Sequence, residues 1–288
     1  MLQLSLLLAL LLWPLVVLCS VSKDFQDCRT FFHMQVPPRG LWHGAPSSIC
    51  QRYMDQMHYA TLYDTHRHLP IYSAYIFRKS DGKRRVDTPW MYEPQLIVAD
   101  ETGNMRPLPL SEDTPPFIED TQAVLEDYTD AIEYKRCPLN PDVHQADPPQ
   151  KSSTYSLTNV VPLRADLLDN VWNPYLDRIR RRLNNFCLGK AFMVSGVTAS
   201  GDNIRRENRD RIGIPKHIWL AYCCPRFDQN SPYEVRYMFP SYAAYALNGH
   251  GQNEVVEVPL KTLESFIKSN TDVDVVIFYK GCLTEHHL

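Results

Sequence analysis

Between Leu2 and Leu18 the chain is almost unbroken apolar sequence, and no charged residue precedes Lys23. An apolar run of this length, closing on the small pair Cys19-Ser20, reads as a secretory signal peptide cleaved after Cys19 or Ser20. The other reading is a retained membrane anchor, because roughly 20 apolar residues can span a bilayer. Pro14 and the Cys19-Ser20 boundary favour cleavage. That choice governs how everything downstream folds, since a secreted, extracellular chain folds where thiols oxidise. Of the eight cysteines, Cys19 leaves with the leader or borders it, and Cys28, Cys50, Cys137, Cys187, Cys223, Cys224 and Cys282 remain. Cys28 and Cys50 are a local pair. Cys187, Cys223, Cys224 and Cys282 are candidates for two further bridges of open connectivity. The odd count leaves one thiol over, and no CxxC spacing points to a structural zinc.

No second long apolar run follows, so no membrane segment is expected after cleavage. A length of 288 residues suits one large domain or two tightly joined ones. The expected division is a leader over 1–19, a disulfide-containing and loop-rich entry segment over 20–60, and a main domain over 61–284. A formal charge of -3 excludes a wholly basic nucleic-acid binder but leaves room for a basic cleft on a mixed surface. There is no internal repeat.

Leu69 to Phe77 is rich in β-branched and aromatic residues and reads as a strand. Asp81-Gly82 marks a turn, and Pro89 to Pro116 reads as a proline-dotted surface loop with short strands. Glu119 to Tyr128 has helical character. Ile132 to Leu139 leads as a strand into the Asn140-Pro-Asp turn, Pro148 to Ser153 reads as polar loop, and Tyr155 to Val161 as a short strand. From Ala165 to Phe186, Leu168, Val171, Trp172, Tyr175, Leu176, Ile179, Leu183 and Phe186 recur at three- and four-residue steps, the pattern of an amphipathic helix. Pro174 either kinks it or opens a second helix. Lys190 to Val197, His217 to Tyr222 and Val273 to Tyr279 read as strands, and Leu260 to Ile267 as a helix. The expected class is α+β, an antiparallel sheet flanked by helices and stapled by disulfides.

Tyr134-Lys-Arg-Cys-Pro-Leu-Asn-Pro141, followed by Leu157-Thr-Asn-Val-Val-Pro162 and then Trp172, resembles the signature of the DNA/RNA non-specific endonucleases, the ββα-metal nucleases. That signature is Asp-Arg-Gly-His-Leu-x-Pro, then Thr/Ser-Asn-x-x-Pro-Gln, then an Asn and a Trp on the following helix. Ser48-Ile-Cys-Gln51, Tyr59-Ala-Thr-Leu-Tyr63, Pro70 to Tyr75, Ile214 to Trp219, Ala221-Tyr-Cys-Cys224 and Ile277-Phe-x-x-x-Cys282 extend the likeness over nearly the whole chain. They resemble the secreted, endonuclease domain-containing 1 branch of that family.

The resemblance implies a central ββα site whose motif His activates water as a general base. It also implies a divalent cation, Mg2+, held through the helix Asn and waters, and arginines that complement transition-state charge. Aligned on Arg136 and on Leu139-x-Pro141, the motif Asp becomes Lys135, the Gly becomes Cys137 and the His becomes Pro138. Aligned on Pro162 and Trp172, the Gln becomes Leu163, the metal-binding Asn falls on Leu168, and the acidic helix residue falls on Leu176. Proline accepts no proton and leucine offers no oxygen, so neither a metal ligand nor a bound cofactor is expected. The candidate site is therefore Arg136, the degenerate Pro138, and Asn159 of the Thr-Asn motif. Lys135, Arg136, Arg178 and Arg181 are the candidate phosphate contacts to DNA or RNA. Cys137 accounts for the odd thiol and is expected to be buried and inert.

Residues that could restore a site are His144, Asp142, Asp147 and Asp166, or Asp169 and Asn170 after a one-residue slip along the helix. The clusters Lys83 to Arg85, Arg178 to Arg182 and Arg205 to Arg209 read equally well as solvated charged faces. Three functions stay open: a nucleic-acid-binding pseudoenzyme with hydrolysis lost or impaired, an active Mg2+-dependent endonuclease, and an extracellular interaction protein with no nucleic-acid role.

Overall fold

The computed structural model describes residues 20–42, 44–83, 86–109, 115–251 and 254–283. The leader expected over 1–19 lies outside the described residues. In chain order the strands are β1 (Val21–Ser22), β2 (Ser47–Tyr53), β3 (Gln56–Asp64), β4 (Leu69–Phe77), β5 (Met91–Tyr92) and β6 (Arg106–Pro107). There follow β7 (Tyr134–Pro138), β8 (Val160–Arg164), β9 (Ala191–Arg206), β10 (Arg209–Cys223), β11 (Ser241–Leu247) and β12 (Val256–Val258). Eight of them form one antiparallel sheet in the order β1-β2-β3-β4-β9-β10-β11-β12. β7 pairs only with β8, and β5 with β6, as separate two-stranded ribbons.

Both faces of the sheet are covered, which is why all nine residues of β4 are buried. Tyr75 and Phe77 pack on one side with Leu163, Leu168, Trp172, Tyr175, Ile179 and Leu183 from the β7–β8 ribbon and the helix that follows it. Tyr72, Ala74 and Ile76 pack on the other with Phe25, Phe32, Leu41, Leu263 and Ile267, from the N-terminal segment and the helix Leu260–Thr271. Alternation along a strand sends successive side chains to opposite faces, so one strand feeds two cores.

Three disulfides tie the outer layers to the sheet. Cys28–Cys50 fastens the N-terminal segment to β2, Cys187–Cys224 joins the end of the long helix to the end of β10, and Cys223–Cys282 clips the C-terminal turn to β10. Cys137 is free and buried.

Several local expectations change. The stretch 20–60, expected to be loop-rich, contains β1, β2 and part of β3, because Ile49, Cys50, Tyr59 and Ala60 are interior residues of the sheet. Pro148–Ser153 is a helix rather than a loop: the Asp147 carboxylate accepts the Gln150 N–H at 3.0 Å, a cap that Pro148 in the first turn complements. The strand expected from Tyr155 starts at Val160, since Ser156 caps a tight turn over Leu157–Asn159. Among the described residues Val273 to Tyr279 has a single bridge, between Val276 and Arg39, in place of a strand ladder. Glu119 to Tyr128 divides into two short turns of helix, Ile118–Thr121 and Leu125–Tyr128.

The helix after β8 is continuous but widens into a π-turn over Leu168–Trp172 before Asn173–Phe186. Pro174 has no N–H for a bond to the residue four back, and its ring crowds that carbonyl. A widened turn takes up the clash.

At the centre of the sheet Gly196 pairs with Trp219 on one side and Tyr72 on the other. A Cβ there would lie 2.6 Å from the Ile71 carbonyl oxygen and closer still to the Trp219 ring. Gly196→Ala is expected to lower stability by about 1–3 kcal/mol through overpacking, read as a fall in the urea midpoint. An unchanged midpoint would mean that the Trp219 ring gives way freely.

Candidate functional site

β7 and β8 run antiparallel with Arg136 opposite Pro162 and Pro138 opposite Val160, and the helix turn carrying Leu168 follows directly. Between this ββα unit and the loop ahead of β5 lies a pocket of about 400 Å³, lined by Trp90, Tyr128, Tyr134, Lys135, Arg136 and Leu168. Arg136 dominates it. Its guanidinium carbon stands 4.8 Å from the centre of the Trp90 ring and 5.6 Å from that of Tyr128. The ring faces supply favourable electrostatics. Among the described residues no carboxylate lies within ion-pair distance of it. Burial depresses its pKa, although a guanidinium stays charged in proteins.

Tyr128 is nine-tenths buried, and its hydroxyl has no partner among the described residues. It is held in place through its neighbour. The buried Asp127 carboxylate accepts from Arg206 Nε at 3.0 Å, from Arg211 Nε at 2.8 Å and Nη2 at 3.2 Å. These arginines come from β9 and β10, so the main sheet fixes one wall of the pocket. Trp90 rests on Tyr155, ring centres 5.4 Å apart.

The remaining expected site residues fall in distinct places. Lys135 reaches Asp169 at 2.5 Å, both side chains about half exposed. Pro138 is half-buried and offers no titratable atom. Leu168 is 6% exposed and forms part of the pocket wall. Asn159 is fully buried with its amide saturated: Oδ1 accepts from Ser73 Oγ (2.9 Å) and Asn140 N (3.0 Å), and Nδ2 donates to the carbonyls of Asn140 (3.0 Å) and Thr154 (2.9 Å). It fixes the turn after β7 and presents nothing to a substrate. Arg178 and Arg181 lie further along the helix and do not line the pocket; Arg178 sits 5.4 Å from the Tyr175 ring and 3.7 Å from Glu257, and Arg181 pairs with Asp177 at 2.8 Å.

His144 is fully buried. Leu176 O can only accept, so His144 Nε2 donates to it at 3.0 Å, and Nδ1 accepts from the Tyr75 hydroxyl at 2.9 Å. Burial depresses its pKa to about 4, a neutral core histidine. Asp142 accepts from Tyr155 Oη, Asp147 caps a helix, and Asp166 pairs with Arg164 at 3.5 Å. A hard divalent cation needs oxygen donors. On the helix turn in question Leu168 has none, Asp169 is paired with Lys135, and Asn170 faces solvent, so these residues do not fit such an ion. Among the described residues the one grouping of His, Cys, Asp and Glu close enough to share a metal is His33 with Cys223 and Cys282, whose sulfurs are joined to each other. Cys137 lies at full depth in the core, and burial pushes its thiol pKa far up, away from the reactive thiolate.

With this geometry in view, comparison with known proteins is informative. The profile of the DNA/RNA non-specific endonucleases matches residues 39–276. The chain belongs to this family. It is 27% identical over 209 residues to the endonuclease domain-containing 1 protein of Homo sapiens, covering 70% of this chain and 40% of that protein. It is 28% identical over 219 residues to the one from Mus musculus, covering 72% and 40%. The chain thus spans well under half the length of these relatives. Among solved structures, a chain in the crystal structure of the EndoG/EndoGI complex superposes with a TM-score of 0.50 at 12% identity, over 81% of this chain and 87% of that one. That is a likeness of fold.

Trp90, Tyr128 and Glu93 were not singled out by the family motifs, because they sit in segments read as loop or weak helix. The 89–116 excursion is in fact partly core: Met91 and Glu93 are at most 1% exposed. An isolated Trp-Met-Tyr among prolines was the available signal. Glu93 is clamped by Gln122, which accepts its N–H at 2.8 Å and donates to its carbonyl at 2.9 Å. Its carboxyl meets only long contacts, 3.4 Å from Ser156 Oγ and 3.5 Å from Thr158 Oγ1, and Glu93 Oε2 and Gln51 Oε1 have no partner among the described residues.

Without a cation beside it, burial pushes the Glu93 pKa up to about 8. A carboxyl protonated in the native state and ionised when unfolded makes the unfolded state bind fewer protons. Stability from this group is therefore full at acid pH and falls as pH rises from about 4.5 towards 8. Glu93→Gln should gain on the wild type by on the order of 1.4 kcal/mol per pH unit across that window, measured by urea denaturation at pH 5, 6, 7 and 8. Parallel profiles for the two proteins would remove the argument.

Proposed function

We propose that this chain is a secreted, nucleic-acid-binding member of the family that has lost phosphodiester hydrolysis. The observation that carries the reading is the Arg136 guanidinium: a half-buried cation with no ion-pair partner among the described residues, in an open pocket, on the strand where the family places its catalytic residues. Phosphate oxygens are suited to a guanidinium's planar fork of donors. Lys135 stands beside it on the rim, where exchange of Asp169 for a phosphate costs little because the pair is exposed. Tyr134 lines the same opening, and stacking of bases on aromatic rings tolerates any sequence.

Loss of hydrolysis is supported by what surrounds Arg136. Activation of water needs a base within hydrogen-bond reach, and the corresponding side chain is Pro138. His144, the nearest histidine in sequence, has both ring nitrogens committed inside the core. Leu168 closes the pocket with carbon where the family holds its ion, so Mg2+ is not part of the proposed mechanism. Secretion is supported by the apolar leader and by the oxidised state of six cysteines. The match covers 40% of the endonuclease domain-containing 1 relatives, so the proposal concerns the matched domain alone.

Fluorescently labelled DNA should bind with an affinity that falls steeply between 50 and 200 mM salt, and Arg136→Gln should weaken binding about tenfold or more at low salt. Plasmid and RNA should stay intact with or without Mg2+. Cleavage that EDTA abolishes would restore the active-nuclease reading, and absence of DNA binding at low salt would favour an interaction protein of another kind.

A further inference from the structure

A second cavity, of about 480 Å³, sits between the loop at Leu41-Trp42, the bulged part of β9–β10 and the C-terminal end of the helix Leu260–Thr271. It shares no lining residue with the Arg136 pocket. Two cations reach it, Arg67 from the β3–β4 turn and Lys216 from β10. Neither has an ion-pair partner among the described residues.

Their placement is built in rather than incidental. Along β9–β10 the register runs Pro215↔Ala199 and then His217↔Thr198, so Lys216 is the extra residue of a bulge. Bulges re-aim a side chain out of the strand's alternation, and the Asn248 N–H fixes this one by donating to the Lys216 carbonyl at 2.8 Å. Arg67 is seated by its own carbonyl, which accepts the Gly213 N–H at 2.8 Å, while a Cβ on Gly213 would come within 3.3 Å of the Arg67 Cβ. The cavity is lined by the Trp42, Leu41 and Ile267 side chains as well, and by a single carboxylate, Asp272. Two cations against one anion leave the site net positive beside an apolar surface.

We propose that this cavity binds a small oxyanion ester, a phosphate or sulfate monoester whose organic group lies against Trp42. Its volume falls in the range of small-molecule sites. A guanidinium fork and an ammonium are the usual pair for a tetrahedral oxyanion, and the apolar wall selects an ester over the free anion.

The test is calorimetric titration of the full chain at low salt with phenyl phosphate, phenyl sulfate, inorganic phosphate and phenol. One ester is expected to bind at a single site, and inorganic phosphate to bind about tenfold more weakly or not at all; which ester binds tells phosphate from sulfate. Arg67→Gln combined with Lys216→Gln should cost at least about tenfold in ester affinity, with an unchanged thermal midpoint showing that the fold is intact. Arg136→Gln should leave ester affinity within about twofold, which separates this site from the nucleic-acid proposal. Ester binding that survives the double substitution, or that is lost in Arg136→Gln instead, would overturn it. So would no heat from either ester at about 10 mM.

Discussion

Burial of the central strands on both faces is the constraint on which the rest of the structure depends. β4, β9 and β10 carry apolar side chains to two cores at once, and hydrophobic burial is the main favourable term in folding. The same arrangement leaves the middle of the sheet no surface with which to bind anything. The Arg136 pocket is added on the outside, by the β7–β8 ribbon with its helix, backed by one core. The sheet still decides the shape of that site from a distance: Arg206 and Arg211 hold Asp127, and Asp127 holds Tyr128. A buried carboxylate that lost both of these arginines would carry the full cost of its desolvation, so the pocket wall and the stability of the hairpin are coupled.

Much of this was legible in the sequence where one physical signal acted alone. β4 was readable because it is apolar from end to end, and the long helix because its stripe is strict enough to survive a π-turn and a proline. The Cys28–Cys50 bridge was readable from proximity. Where local chemistry competed with composition, the reading failed. Pro148-Pro-Gln-Lys looks like loop until the Asp147 cap is considered, and Val273 to Tyr279 looks like a strand although its neighbours leave it only one bridge. The Arg136–Trp90–Tyr128 cluster could not be read from spacing at all, since its three members come from segments far apart in the chain and meet only after the sheet has formed.

The family likeness and the pocket speak to different things. Fold similarity at 12% identity speaks for the overall architecture, but function belongs to the atoms within it. At that level three of the candidate positions are spent on packing and turn geometry. Pro138 shapes a strand end, Leu168 fills a wall, and Asn159 spends its whole amide on turn geometry. Charge is available at Arg136, steadied by the aromatic rings of Trp90 and Tyr128. The pocket thus sets a positive charge beside aromatic faces.

Cys223 and Cys224 are adjacent, yet their bridges run to opposite layers, Cys223 to the C-terminal turn at Cys282 and Cys224 to the helix end at Cys187. This division follows from strand alternation. A slip of β10 by one residue would turn the whole strand over, bringing each sulfur to face the other's partner. The neighbouring cysteines therefore serve as a proofreading mark for the central hairpin: the native cross-links close only when the strand has settled the right way up, and once closed they deny it the alternative.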